Sequence, residues 1–278
     1  MIHFICALKC EALPLIQHYD LKYHADSDLF NVYANEPKHI SLTITGIGKL
    51  ASAAGTIYTY TLLDANFSDI WLNVGIAGHC SFTIGDVYLA NRIEDAGSGQ
   101  VWYPQIVIDK NIPTANLLTL DRPSTKYDLS IFDMEASGFI SVACRFATAE
   151  LIHSVKIISD NKENPAGKFN PDMVSKLIDM KKEEIQALAM RLEDMSVELK
   201  SDIDISDEFR QFSVEWHFSK YQQLRLKQLI FRWHLLMPES SAFMCAKKHC
   251  ANSTAVLETL QDEMDAADFF LERRDADV

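Results

Sequence analysis

Positive charge is what this 278-residue chain lacks most: 26 Lys and Arg stand against 39 Asp and Glu, for a formal net charge of −13. A general nucleic-acid binder carries a basic footprint, so that class is not expected. An anionic small molecule is still admissible, because a pocket can be locally positive inside an acidic protein. Long apolar runs are also missing. None reaches the roughly 18 residues that cross a bilayer. The short run after Met1 is flanked by His3 and Lys9 and reads as a strand, so neither a signal peptide nor a membrane partner is expected. The 6 cysteines have no paired spacing and fit reduced thiols in a cytoplasmic protein. Cys245, His249 and Cys250 have no second spaced pair, so no metal site is expected. Repeats and low-complexity segments are absent too.

What is present is a strand–helix alternation followed by a helical stretch. Ile2 to Leu8 is nearly continuous apolar sequence, as in a strand buried on both faces. His39 to Thr45 alternates, predicting a half-covered strand, and Leu50 to Ala65 has helical spacing. Ile70 to Val74 and Asp86 to Ala90 read as strands separated by a turn at Gly75-Ile76-Ala77-Gly78. Asn116 to Leu120 reads as another strand, Met134 to Thr148 as a helix and Ser154 to Ser159 as a strand. The pattern predicts an α/β fold with helices on both faces of the sheet. After Pro171 the sequence turns helical: Asp172 to Leu199, Phe209 to Leu236 and Asn252 to Arg274. Residues 1–200 are therefore expected to form an α/β domain and residues 201–278 an α-helical extension. Phe209, Phe212, Trp216, Leu224, Leu229, Trp233 and Leu236 are too much hydrophobe for a free helix. They are expected to pack on the α/β domain or across a subunit interface.

Three acids fall at strand ends or helix starts: Glu11, Glu135 and Asp160. Each also has an ordinary explanation. Asp160 can cap the turn after its strand, while Glu11 and Glu135 sit where a helix dipole favours an acid. Asp133 reads as a capping residue. Gly46-Ile47-Gly48-Lys49 lacks a full nucleotide fingerprint and reads as a tight strand-to-helix turn.

The ordered set of motifs resembles the nucleoside phosphorylase and nucleosidase superfamily, in particular the methylthioadenosine/S-adenosylhomocysteine nucleosidases. It comprises Ala7-Leu8-Lys9-Cys10-Glu11, Gly46 to Lys49, Asn73-Val74-Gly75-Ile76-Ala77-Gly78, Gly85-Asp86-Val87, Met134-Glu135 and Ile158-Ser159-Asp160, over roughly residues 1 to 195. The resemblance implies a three-layer α/β/α fold around a mixed, largely parallel sheet. It also implies cleavage of the N-glycosidic bond of a purine nucleoside, or a 5′-modified one, by water. Asp160 would protonate the base and Glu11 would position the water. Glu135 would hold the ribose hydroxyls and Met134 would pack on the sugar, with Ile76, Ala77, Gly78 and Ser159 completing the substrate site. No cofactor is implied. The partners implied are a small-molecule nucleoside and a second copy of the chain in a homodimer.

The departures shape the alternatives. Ile76 stands where many relatives carry Ser or Thr, and Gly85 and Lys9-Cys10 stand where phosphorylases carry arginines. Without an arginine clamp water is favoured as nucleophile. Inorganic phosphate is the co-substrate of the alternative phosphorylase reading, with Lys9 or Arg92 as its cation. The stretch from Ala90 to Asp133 is short for the family, leaving Tyr103, Tyr127 or a tail aromatic to stack on the base. A third alternative is a catalytically inactive nucleoside-binding or partner-docking protein.

Overall fold

In the computed structural model, which describes residues 1–107, 112–165, 167, 170–201 and 205–274, the apolar run after Met1 forms β1 (Ile2–Cys6), buried along its whole length. There follow α1 (Lys9–Tyr19), β2 (Lys22–Tyr23), β3 (Asn31–Asn35), β4 (Ile40–Ile44) and α2 (Lys49–Leu62). Next come β5 (Ile70–His79), β6 (Val87–Asp95), β7 (Val101–Trp102), β8 (Thr114–Thr119), β9 (Ile131–Asp133), α3 (Ala136–Ala143), β10 (Ile152–Asn161) and α4 (Pro171–Ser201). The last helices are α5 (Ser206–Glu215), α6 (Lys220–Leu236), α7 (Ala242–His249) and α8 (Ser253–Arg274). No helix among the described residues is long and apolar enough to cross a membrane.

The chain is mixed α/β, as the strand–helix alternation predicts, and its sheet is mixed. Among the described residues five ladders are parallel and five antiparallel, the parallel ones holding most of the paired residues. The sheet does not stay open. β10 pairs with β5 on one side and β6 on the other, and β6, β8 and β9 lead back to β5 through Gly78 and Phe132. These five strands close on themselves as a barrel, with β1, β4, β3 and β2 continuing from β5. Register shifts in β6 between Ala90 and Arg92 and in β10 between Ile158 and Asp160 supply the local bending that such closure needs.

Two strands differ instructively from the sequence pattern. β4 is covered on both faces, because its polar positions bond internally: Ser41 Oγ meets His3 Nδ1 at 2.7 Å, and the Thr43 and Thr59 hydroxyls bond each other. The Gly75 to Gly78 stretch is no turn but the end of β5. Glycine fits there because a side chain would strike the site: a Cβ at Gly75 would lie 2.9 Å from Glu11 Oε1, and one at Gly78 would lie 2.6 Å from Asp160 Oδ2.

The chain divides into two compact units, Met1–Val197 and Glu198–Val278. In the second, Phe212, Phe218, Leu226, Leu229, Ile230 and Trp233 form a core with residues of α7 and α8, and Phe209, Trp216 and Leu236 pack against it. The tail hydrophobes thus bury one another. The single helix expected over Phe209 to Leu236 is two, since Ser219 and Gln222 form a capping box that starts α6 afresh. α3 is also shorter than expected, stopping at Ala143.

Candidate active site

One cavity of about 240 Å³ collects the residues expected to act on or bind the substrate. Glu11, Ile76, Ala77, Gly78, Met134, Glu135, Ser159 and Asp160 all line it. Leu120, Arg122, Pro123 and Ser124, from the loop after β8, form another part of its wall.

Glu11 stands in the first turn of α1, where its Oε2 accepts the Leu8 N–H at 2.8 Å. Its other oxygen accepts the Ile76 N–H at 3.0 Å, tying the helix start to the end of β5. Burial raises its pKa from the usual carboxylate value, and the bonds from the Ile76 and Leu8 amides and the nearby Lys156 only partly oppose this.

Glu135 immediately precedes α3 and is 9% exposed. Its Oε1 accepts the Gly48 N–H at 2.8 Å, and its Oε2 accepts the Met134 N–H at 3.2 Å. The Gly-Ile-Gly-Lys turn is therefore a support for Glu135, with Gly48 at φ +103°, a conformation that side chains rarely adopt. Burial and the neighbouring Asp133 push the Glu135 pKa up to about 7 against the pull of Lys156.

Asp160 follows the irregularity in β10 and is held by two donors. The Ser159 hydroxyl donates to its Oδ1 at 2.6 Å and the Tyr127 hydroxyl to its Oδ2 at 2.5 Å. β-bulges re-aim a side chain, and the ladder shifts register between Ile158 and Asp160.

Beneath the cavity lies a residue that the motif reading did not single out. Lys156, on β10, is 1% exposed and pairs with Asp133 Oδ2 at 2.8 Å. Burial works against its charge, yet Asp133, Glu135 and Glu11 together raise its pKa above the usual lysine value. Asp133 does cap, since the same oxygen accepts the Ala136 N–H at 2.8 Å, while its Oδ1 accepts from the Thr119 hydroxyl at 2.8 Å. The available signal was a lone lysine inside an apolar strand, which is rarely buried unless paired.

A second network supports the wall. Lys49 bridges Asp95 at 2.9 Å and Asp121 at 2.8 Å. Asp95 also accepts from Ser137 Oγ at 2.8 Å and from the amides of Gly97 and Ser98. Burial opposes ionisation of Asp95, but Lys49 and these donors hold its pKa well below the ordinary range.

The residues named as anion cations or base-stacking aromatics fall differently. Arg92 pairs with Glu94 at 2.6 Å, and neither it nor Lys9 lines the cavity; the cation on the wall is Arg122. Tyr103 is 66% exposed and lies off the cavity. Tyr127 is spent on Asp160. Among the described residues no group of three His, Cys, Asp or Glu side chains gathers as a metal site.

The fold is one shared with solved nucleosidases. The 5′-methylthioadenosine nucleosidase of Arabidopsis thaliana superposes with a TM-score of 0.55 at 17% identity, over 70% of this chain and 95% of that one. The 5′-methylthioadenosine/S-adenosylhomocysteine nucleosidase of Helicobacter pylori, solved with butyl-thio-DADMe-Immucillin-A, gives 0.51 at 14% identity, over 66% and 97%. A futalosine hydrolase mutant from Helicobacter pylori gives 0.50 at 13% identity, over 68% and 98%. By sequence, no family model and no curated protein matches the chain.

Proposed function

We propose that this protein hydrolyses the N-glycosidic bond of a purine nucleoside or a 5′-modified purine nucleoside. The observation that carries the reading is the gathering of Glu11, Glu135 and Asp160 around one cavity, each in a different electrostatic setting.

Leaving of a purine requires a proton on the base, stabilisation of the cationic sugar and an oriented nucleophile. Asp160 delivers the proton to the base nitrogen as the C–N electron pair moves onto the base. Glu135 accepts hydrogen bonds from the ribose hydroxyls, fixed in place by the Gly48 and Met134 amides. Glu11 takes a proton from water while the remaining hydroxide bonds the anomeric carbon. Its raised pKa makes it a better base than an exposed glutamate. No cofactor enters these steps.

Arg122 favours one second reading. It places a cation on the cavity wall, which suits phosphate as nucleophile. Incubating purine nucleosides, including 5′-thioether ones, in phosphate-free buffer separates the two. Free base and free sugar there support hydrolysis. Release only after phosphate is added reverses the assignment to phosphorolysis. Intact nucleosides under both conditions leave a non-catalytic binding protein.

A further inference from the structure

Tyr127 and Asp160 are joined in a way that the hydrolytic roles alone do not use. The phenol comes from the loop between β8 and β9, is 7% exposed and donates to Asp160 Oδ2 at 2.5 Å. Room for the pair is made by Gly78, where a Cβ would meet Asp160 Oδ2 at 2.6 Å and Tyr127 Cε1 at 2.9 Å. The loop is pinned beside that strand end, since His79 Nε2 bonds the Leu129 carbonyl at 3.1 Å. Ser159 serves the other oxygen, so both atoms of the carboxylate have a donor before any substrate arrives.

Two donors aimed at a carboxyl group stabilise its anion more than its acid, because hydrogen bonds to a charged acceptor are the stronger ones. We infer that Tyr127 is a positioning residue for base departure, holding Asp160 in place and stabilising the carboxylate that remains once its proton has passed to the leaving base. The inference rests on the hydrolase reading above. Asp160 loses a proton to the base nitrogen, and the broken C–N bond leaves its electron pair on the base. Water divides into the hydroxide that bonds the sugar and the proton that Glu11 takes. Tyr127 keeps its own proton throughout and only tightens its bond, and solvent then re-protonates Asp160. The interaction is thus worth most where the base most needs a proton.

The test is a leaving-group series of purine ribosides with progressively electron-withdrawing 6-substituents, comparing the unaltered protein with Tyr127→Phe. For the least activated riboside kcat should drop about 10- to 100-fold with KM little changed, the size expected for losing a hydrogen bond to a charged group. The loss should shrink along the series, so that the plot of log kcat against leaving-group acidity steepens. An equal loss at every member, or none at all, overturns the inference. Site-specific 3-fluorotyrosine at position 127 keeps the ring and strengthens the donor, which covers the case of a Phe variant that folds poorly. It should hold kcat on the poorest leaving group at or above the unaltered value, and a loss there also overturns the inference. If the unaltered protein cleaves no member, the hydrolase reading itself fails. Cleavage with unchanged steepness removes only the role of Tyr127.

Discussion

The Lys156 ammonium lies 2.8 Å from Asp133 Oδ2, with both side chains sealed from solvent, and the nearby Glu135 and Glu11 also favour its charge. One buried cation thus compensates three acids. Lys156→Met should cost about 3–5 kcal/mol at pH 7, the range for breaking a buried pair from one side. At pH 5 the orphaned carboxylates can take protons in the folded state, so the deficit should narrow there. Denaturant unfolding of both proteins at the two pH values checks this, and an identical deficit contradicts it.

Glu135 gives a pH dependence of stability with a definite sign. Its folded pKa of about 7 lies above the ordinary 4.5, so between those values the folded chain holds a proton that the unfolded chain has released. Its contribution is full below pH 4.5 and is lost as pH rises through about 7. Glu135→Gln removes the penalty while keeping an acceptor for the Gly48 amide. The variant should therefore be the more stable protein at pH 8, by on the order of a few kcal/mol. Thermal melts at pH 5 and pH 8 should show the variant gaining on the unaltered protein as pH rises.

In the proposed reaction Glu11 must be ionised to accept a proton from water. Since burial raises its pKa, kcat/KM should climb with pH through a midpoint above 4.5. Glu11→Gln should reduce kcat by about 100-fold or more, the usual scale for a general base, while adenine binding measured by calorimetry persists. A midpoint at or below 4.5 would argue for another base.

Packing makes a prediction independent of chemistry. A Cβ at Gly138 would sit 1.8 Å from the Lys49 carbonyl oxygen, so α3 crosses the start of α2 at a spot that only glycine fits. Gly138→Ala should destabilise by about 1–3 kcal/mol or more through overpacking. Because Lys49 and Ser137 both hold Asp95, the substitution should also loosen the cavity wall and raise KM. A variant that melts with the unaltered protein would refute the tight crossing.

Much of the site could be seen in the sequence because its acids stand beside recognisable local signals. Glu11 and Glu135 open helices and Asp160 stands near the end of a strand, and all three face one cavity. Closure of the sheet was hidden, since it depends on β10 choosing partners on both sides, a pairing between distant segments that no local pattern encodes. Gly75 and Gly78 misled as turn residues because their reason is the space that Glu11 and Asp160 occupy. Lys156 and Tyr127 were obscured differently, one inside an apolar run and the other in a loop whose aromatic looked like a base platform.

Paired with β5 along its length and with β6 over Val155 to Ile157, β10 has no free margin at its centre from which to fray. Its amide protons should therefore exchange only when the whole ring of strands comes apart, well after those of the short β2 and β7. Asp160 and the Lys156 counter-cation lie on that same ribbon, so warming should abolish any turnover and melt the first unit in a single event.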